Sequence, residues 1–103
     1  MADYVVAKLA EIPKGMMKAV QAGGKNLVIF HDVNGAVSAL EDRCSHANIK
    51  LSRGQFSGTT VTCPAHGAMF DVCTGNHLCM PAVTPVRRYA AKVVGEEIVV
   101  SVG

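Results

Sequence analysis

Long apolar runs are missing from this chain of 103 residues. The longest, such as Leu27-Val28-Ile29-Phe30, stop after four residues, where a membrane-spanning helix needs about 20. Met1-Ala2-Asp3-Tyr4 offers neither the basic region nor the apolar segment of a signal peptide. The expectation is a soluble, cytoplasmic protein with no membrane partner. Sustained helical periodicity, internal repeats, low-complexity tracts and linkers are also missing, so residues 1–103 read as one domain. Aromatic residues make up only 5% of the chain, and its net charge of +2 is spread out. Arg87-Arg88 is the densest basic spot, and no aromatics interleave with it; a nucleic-acid footprint needs a clustered basic face. Gly23-Gly24-Lys25 lacks the remainder of a phosphate-binding Gly-x-x-x-x-Gly-Lys-Ser/Thr loop and reads as a hairpin turn. No base, nucleophile or substrate pocket is legible, so no bond-making chemistry is expected: the chain is not read as an enzyme.

What is present is a succession of short strands punctuated by turn residues, the all-β pattern. Val5, Ala7 and Leu9 alternate with Val6, Lys8 and Ala10 in a first strand, broken at Ile12-Pro13-Lys14-Gly15. Met16 to Gln21 follows, then a turn at Gly23-Gly24, then a buried strand from Leu27 to His31, continuous in its apolar character. Asn34-Gly35 is the strongest hairpin signal, since a type I′ turn needs positive φ at both central positions. Ala36 to Glu41 is its return strand. Thr59 to Thr62 and Met69 to Asp71 form another pair, with turns at Ser57-Gly58 and Thr74-Gly75-Asn76. Ala90 to Val94 turns at Gly95-Glu96 into a last strand that faces Ile98, Val100 and Val102 inward. Half of the residues are apolar, enough for a core without disulfides.

The chemistry lies between Cys44 and His66. One residue separates Cys44 from His46 and two separate Cys63 from His66. Four such donors from two loops make a metal site. Zinc accepts cysteine and histidine, but its usual pairs are like with like and more widely spaced. A two-iron cluster in which two histidines replace two cysteines on one iron fits the mixed pairs better. Zinc stays open as the lesser reading.

At these residues the sequence resembles the Rieske family. Cys44-Ser45-His46 and Cys63-Pro64-Ala65-His66 look like its two cluster loops, and the likeness continues through Gly67, Phe70-Asp71, Thr74-Gly75, Pro81-Ala82, Tyr89, Lys92-Val93, Gly95 and Ile98. The resemblance implies a Rieske fold: antiparallel sheets forming a base, about 1–41 and 83–103, with a smaller cluster-binding subdomain inserted at about 42–82. It implies one 2Fe–2S cluster, with Cys44 and Cys63 on one iron and His46 and His66 on the other. The free imidazole edges would face solvent, and reduction would raise their pKa, so the potential would fall as pH rises.

Respiratory members carry a loop disulfide, and hydroxyls bonded to the cluster sulfurs. The matching positions here are Ile49 and Ala65, then Ala68 and Phe70, which implies a low potential. Cys73 and Cys79 fall outside the ligand set and read as small buried residues, with a disulfide between them disfavoured. Met69 and Met80 read as packing, and His31 and His77 as ordinary surface histidines. The function implied is that of a one-electron carrier, passing electrons from an NAD(P)H-dependent flavoprotein reductase to a terminal, aromatic-ring-hydroxylating oxygenase. Docking would be transient, at the His46/His66 tip, with Lys50 and Arg53 facing an acidic surface and a monomer as the default state. A small Rieske-like subunit of a nitrite reductase and a zinc-stabilised, non-redox interaction module are the alternatives.

Overall fold

In a computed structural model the chain is described at residues 2–44, 49–64, 67–78 and 85–102. Nine strands are found there: β1 (Ala2–Lys8), β2 (Met16–Ala22), β3 (Lys25–His31), β4 (Val37–Glu41), β5 (Gln55–Ser57), β6 (Thr60–Thr62), β7 (Met69–Asp71), β8 (Arg88–Val94) and β9 (Glu97–Val102). The six-stranded sheet runs β1-β9-β8-β4-β3-β2, and a three-stranded sheet runs β5-β6-β7. Every pairing is antiparallel. The only helical pieces among the described residues are 3-10 turns at Leu9–Glu11 and Leu51–Arg53. No helix there is long and apolar enough to cross a membrane. The architecture is all-β, as the punctuated strand pattern indicates.

The apolar run of β3 has a physical reason. Successive side chains of a strand point to opposite faces, and here both faces are covered. Leu27 and Ile29 join Ala39, Ile98 and Val100 in one core. Val28 and Phe30 join Leu40, Val61 and Phe70 in the other. The second core lies between the two sheets and contains Cys44 and Cys63. Full burial of each Val, Leu, Ile or Phe among these contributes about 1.5–3 kcal/mol.

The same alternation corrects the reading of His31. It shares the face of Leu27 and Ile29, and is 6% exposed, not a surface residue. Its Nδ1 lies 2.6 Å from the Ile12 carbonyl. A carbonyl oxygen only accepts, so Nδ1 carries the proton.

The turns also differ from expectation. The two-residue type I′ hairpin is at Gly23-Gly24, where Ala22 pairs with Lys25 and φ is +57° and +76°. At Asn34-Gly35 the loop is one residue longer. Gly35 N–H donates to the Asp32 carbonyl and Asp32 N–H to that of Ala36, which leaves three residues in the loop. The Asp32 carboxylate accepts the N–H groups of Asn34 and Ala36 at 2.9 and 3.1 Å. That buried carboxylate favours the longer loop by satisfying two donors the turn leaves over.

β4 delivers the chain to Cys44, and a polar bracket holds it there. Asp42 is 5% exposed. Its N–H donates to the Asn26 carbonyl at 3.0 Å, and its carboxylate accepts from Ser52 N–H at 2.8 Å and Ser52 Oγ–H at 2.7 Å. The loop between these residues is thus fixed at both ends. Below it, Phe56 of β5 packs against Phe30 of β3, ring centroids 4.9 Å apart. Gly54 sits so close to β6 that a Cβ there would lie 1.9 Å from the Thr62 carbonyl oxygen.

Candidate metal centre

Cys44 and Cys63 occupy equivalent positions in two loops. Cys44 follows the end of β4, and its N–H donates to the Ile49 carbonyl at 2.8 Å. Cys63 follows β6, and its N–H donates to the Ala68 carbonyl at 2.7 Å. In both loops the bond spans the same number of residues, although the cysteine–histidine spacings differ. The side chains are 0% and 1% exposed and belong to one apolar cluster with Leu51, Ala68 and Phe70. Outside that cluster the second loop turns to solvent: Pro64 and Gly67 are exposed, and Gly67 has φ +72°. Each loop therefore starts from a buried cysteine that follows a strand.

This arrangement suits a thiolate-held metal group. A buried charge is tolerated when it is paired or coordinates a metal, and two cysteines rooted in one core meet that condition together. His46 and His66, the other expected ligands, lie outside the described residues, as do Ala65, Cys79 and Met80. Ala68 and Phe70 are fully buried and carry no hydroxyl. The backbone N–H groups of both cysteines are engaged by loop carbonyls.

Cys73 departs from the expectation of a buried thiol. It is exposed, because the chain turns there: its N–H donates to the Asp71 carboxylate at 2.8 Å and its carbonyl accepts from Arg88 Nε at 2.8 Å. Met69 is 39% exposed and contributes less packing than expected. His77 is exposed, bridged through its backbone to Phe70. Lys50 and Arg53 are both exposed. Arg87 lies over the ring of Tyr89, 5.2 Å from its centroid.

The sequence reading missed Asp42. Its one signal was a carboxylate two positions before Cys44, and nothing in the spacing singled out Ser52 as its partner. The polarity of the surrounding surface is modest. Among the described residues two ion pairs are present, Lys18–Glu11 at 2.6 Å and Lys92–Asp3 at 4.0 Å. Lys18 and the Lys8 N–H hold Glu11 below the usual carboxylate range.

Comparison with known proteins bears on what the cysteine loops hold. The model of the Rieske [2Fe-2S] domain matches residues 2–90. The ferredoxin component of the naphthalene 1,2-dioxygenase system of Pseudomonas aeruginosa is 35% identical over 92 residues, covering 89% of this chain and 88% of that relative. The ferredoxin of carbazole 1,9a-dioxygenase from Nocardioides aromaticivorans IC177 is similar in structure, with a TM-score of 0.93, 34% identity and 98% of each chain covered. A complex of reduced oxygenase and oxidized ferredoxin in carbazole 1,9a-dioxygenase contains a chain matched at a TM-score of 0.89 and 29% identity, covering 96% of this chain and 92% of that one. The cofactor is accordingly one Rieske-type 2Fe–2S cluster, and structural zinc is set aside. With its two buried cysteines at the roots of matching loops, this chain belongs to the Rieske family.

Proposed function

We propose that this protein is a one-electron carrier that takes electrons from an NAD(P)H-dependent flavoprotein reductase and passes them to a terminal, aromatic-ring-hydroxylating oxygenase. The observation that carries the reading is the pair of buried cysteines on matching loops, in a chain similar over most of its length to dioxygenase ferredoxins. Cys44 and Cys63 supply thiolates to one iron, and His46 and His66 supply imidazoles to the other. The 2Fe–2S group, when bound, accepts and releases a single electron. The chain itself makes and breaks no substrate bond.

The protein's own part is to hold and to tune. The segment 42–82 serves as the cluster-binding unit, and the segments 1–41 and 83–103 as its base. Hydrogen bonds to the sulfurs of such a centre raise its potential. Here positions 68 and 70, Ala and Phe, bring no hydroxyl, and positions 49 and 65, Ile and Ala, cannot form a loop disulfide. These features support a potential towards about −150 mV, the low end of the Rieske range.

Low-temperature EPR of the dithionite-reduced protein, with iron and sulfide quantified, tests the ligand set. A rhombic signal with a mean g value below that of all-cysteine clusters, and two irons per chain, is expected. A mean g value as high as that of all-cysteine clusters, or zinc in place of iron, refutes it. Reconstituted turnover with a flavoprotein reductase and an oxygenase component, with and without this protein, tests the carrier role.

A further inference from the structure

Beside the first cysteine loop the surface is concave. Lys25, Glu41, Arg43, Ile49 and Lys50 are among the residues that line a cleft of about 440 Å³. Its walls come from three places: the start of β3, the end of β4, and the exit of the loop that begins at Cys44. Gly24 stands at the rim, where a side chain would meet nothing within 4 Å, so the mouth is open.

The charges in this cleft are unbalanced. Lys25, Arg43 and Lys50 are exposed, and none takes part in either ion pair found among the described residues. Two carboxylates share the lining. That of Asp42 is buried and accepts two hydrogen bonds from Ser52, which leaves Glu41, half-exposed, as the acid that faces the opening. Three cations therefore answer to one solvent-facing carboxylate. Ile49 ties the cleft to the metal centre, because its carbonyl closes the Cys44 loop.

We propose that this cleft is the seat of an acidic segment of a partner protein, two or more Asp or Glu side chains on one protruding loop. The proposal rests on the carrier reading above and specifies the partner's chemistry. A carboxylate pair entering between Lys25 and Lys50 neutralises the local excess of positive charge and lies against the loop that starts at Cys44. Complementary charge of this kind sets association rate and register. A carrier that must release its partner after each electron benefits from contacts that salt screens and that need no large apolar area.

The test uses the intact, cluster-containing protein and a fluorescently labelled hexaglutamate peptide, followed by anisotropy at low and high salt. Wild-type protein should bind it, with affinity falling as salt rises. The double variant K25E/K50E should lose at least tenfold in affinity, while K8E/K14E, with the same change in net charge on other surfaces, should stay within about threefold. Equal losses in the two variants, or no binding by the wild type, overturn the proposal. Visible absorption and reduction potential of each variant, unchanged from wild type, show that the loss is one of docking. Peptide binding requires no electron transfer, so a failure here leaves the carrier reading standing. A missing cluster signal in EPR would defeat that reading whatever the peptide does.

Discussion

Replacing Asp42 by alanine removes both acceptors that hold Ser52, on either side of the Cys44 loop. The carboxylate is 5% exposed, and its contacts with Ser52 N–H and Oγ–H measure 2.8 and 2.7 Å. Hydrogen bonds to a charged group contribute about 1.5–3 kcal/mol each. Ser52 is half-exposed, so water replaces part of what it loses, and the expected cost of D42A is about 2–3 kcal/mol in total. For a domain of this size each kcal/mol lowers the melting temperature by about 4–8 °C, which predicts a fall of ~10–20 °C. S52A removes the hydroxyl donor and keeps the backbone one, for about half the effect. D42N retains the shape and one acceptor, and should fall between wild type and D42A. Thermal unfolding followed in the far ultraviolet measures the stability, and visible circular dichroism reports the cluster environment on the same sample. Because a bound cluster can break two-state behaviour, the order of the variants is the firmer readout. A D42A protein that melts within about 3 °C of wild type refutes the idea that this bracket secures the loop.

Four other outcomes follow. Substituting either His46 or His66 by alanine should abolish the rhombic EPR signal and lower the iron content, whereas H77A should leave both unchanged. G54A should destabilise by about 1–3 kcal/mol or more, since the atom a Cβ would strike at 1.9 Å is backbone and cannot step aside; a denaturant midpoint equal to wild type contradicts this. F30A should cost about 3–5 kcal/mol. The depressed pKa of Glu11 implies stability that is present above the ordinary carboxylate value, 4.5, and is lost as pH falls through the lower folded-state value. E11Q should therefore flatten that part of the acid limb in a pH series of unfolding curves.

Much of this was legible from residue order alone, where the physics is local. Cys44-x-His46 and Cys63-x-x-His66 announce a metal site by donor type, and the β-branched, turn-punctuated remainder announces sheets. The double burial of β3 shows in an unbroken Leu27–Phe30 run. What failed depended on register or on distant partners. Asn-Gly is the better hairpin signal in isolation, but the buried Asp32 carboxylate lengthens that loop, and Gly23-Gly24 takes the tight turn. His31 looked like a strand-end surface residue until the parity of β3 and the cover of Ile12 were known. Cys73 looked like a small buried hydrophobe, and the turn started by Asp71 sets it outside. Asp42 and Ser52 find each other only because a loop folds back, which no spacing rule encodes.

The position of β4 beside β8 governs how this molecule can assemble. β2, β3 and β4 follow one another in sequence and pair as neighbours, and β8 and β9 form a hairpin. Those contacts are local and close only short loops. Joining β4 to β8 requires the whole cysteine-bearing segment to be looped out between them, and β1 must find β9 from the other end of the chain. Loop-closure entropy opposes both steps, and all-β domains with such contacts fold on the order of milliseconds to seconds. The two strand pairs Ala39–Tyr89 and Leu40–Arg88 are thus the narrow joint on which the sheet closes. Substitutions at this joint should slow refolding, while changes in the β2–β3 turn act mainly on the hairpin they belong to.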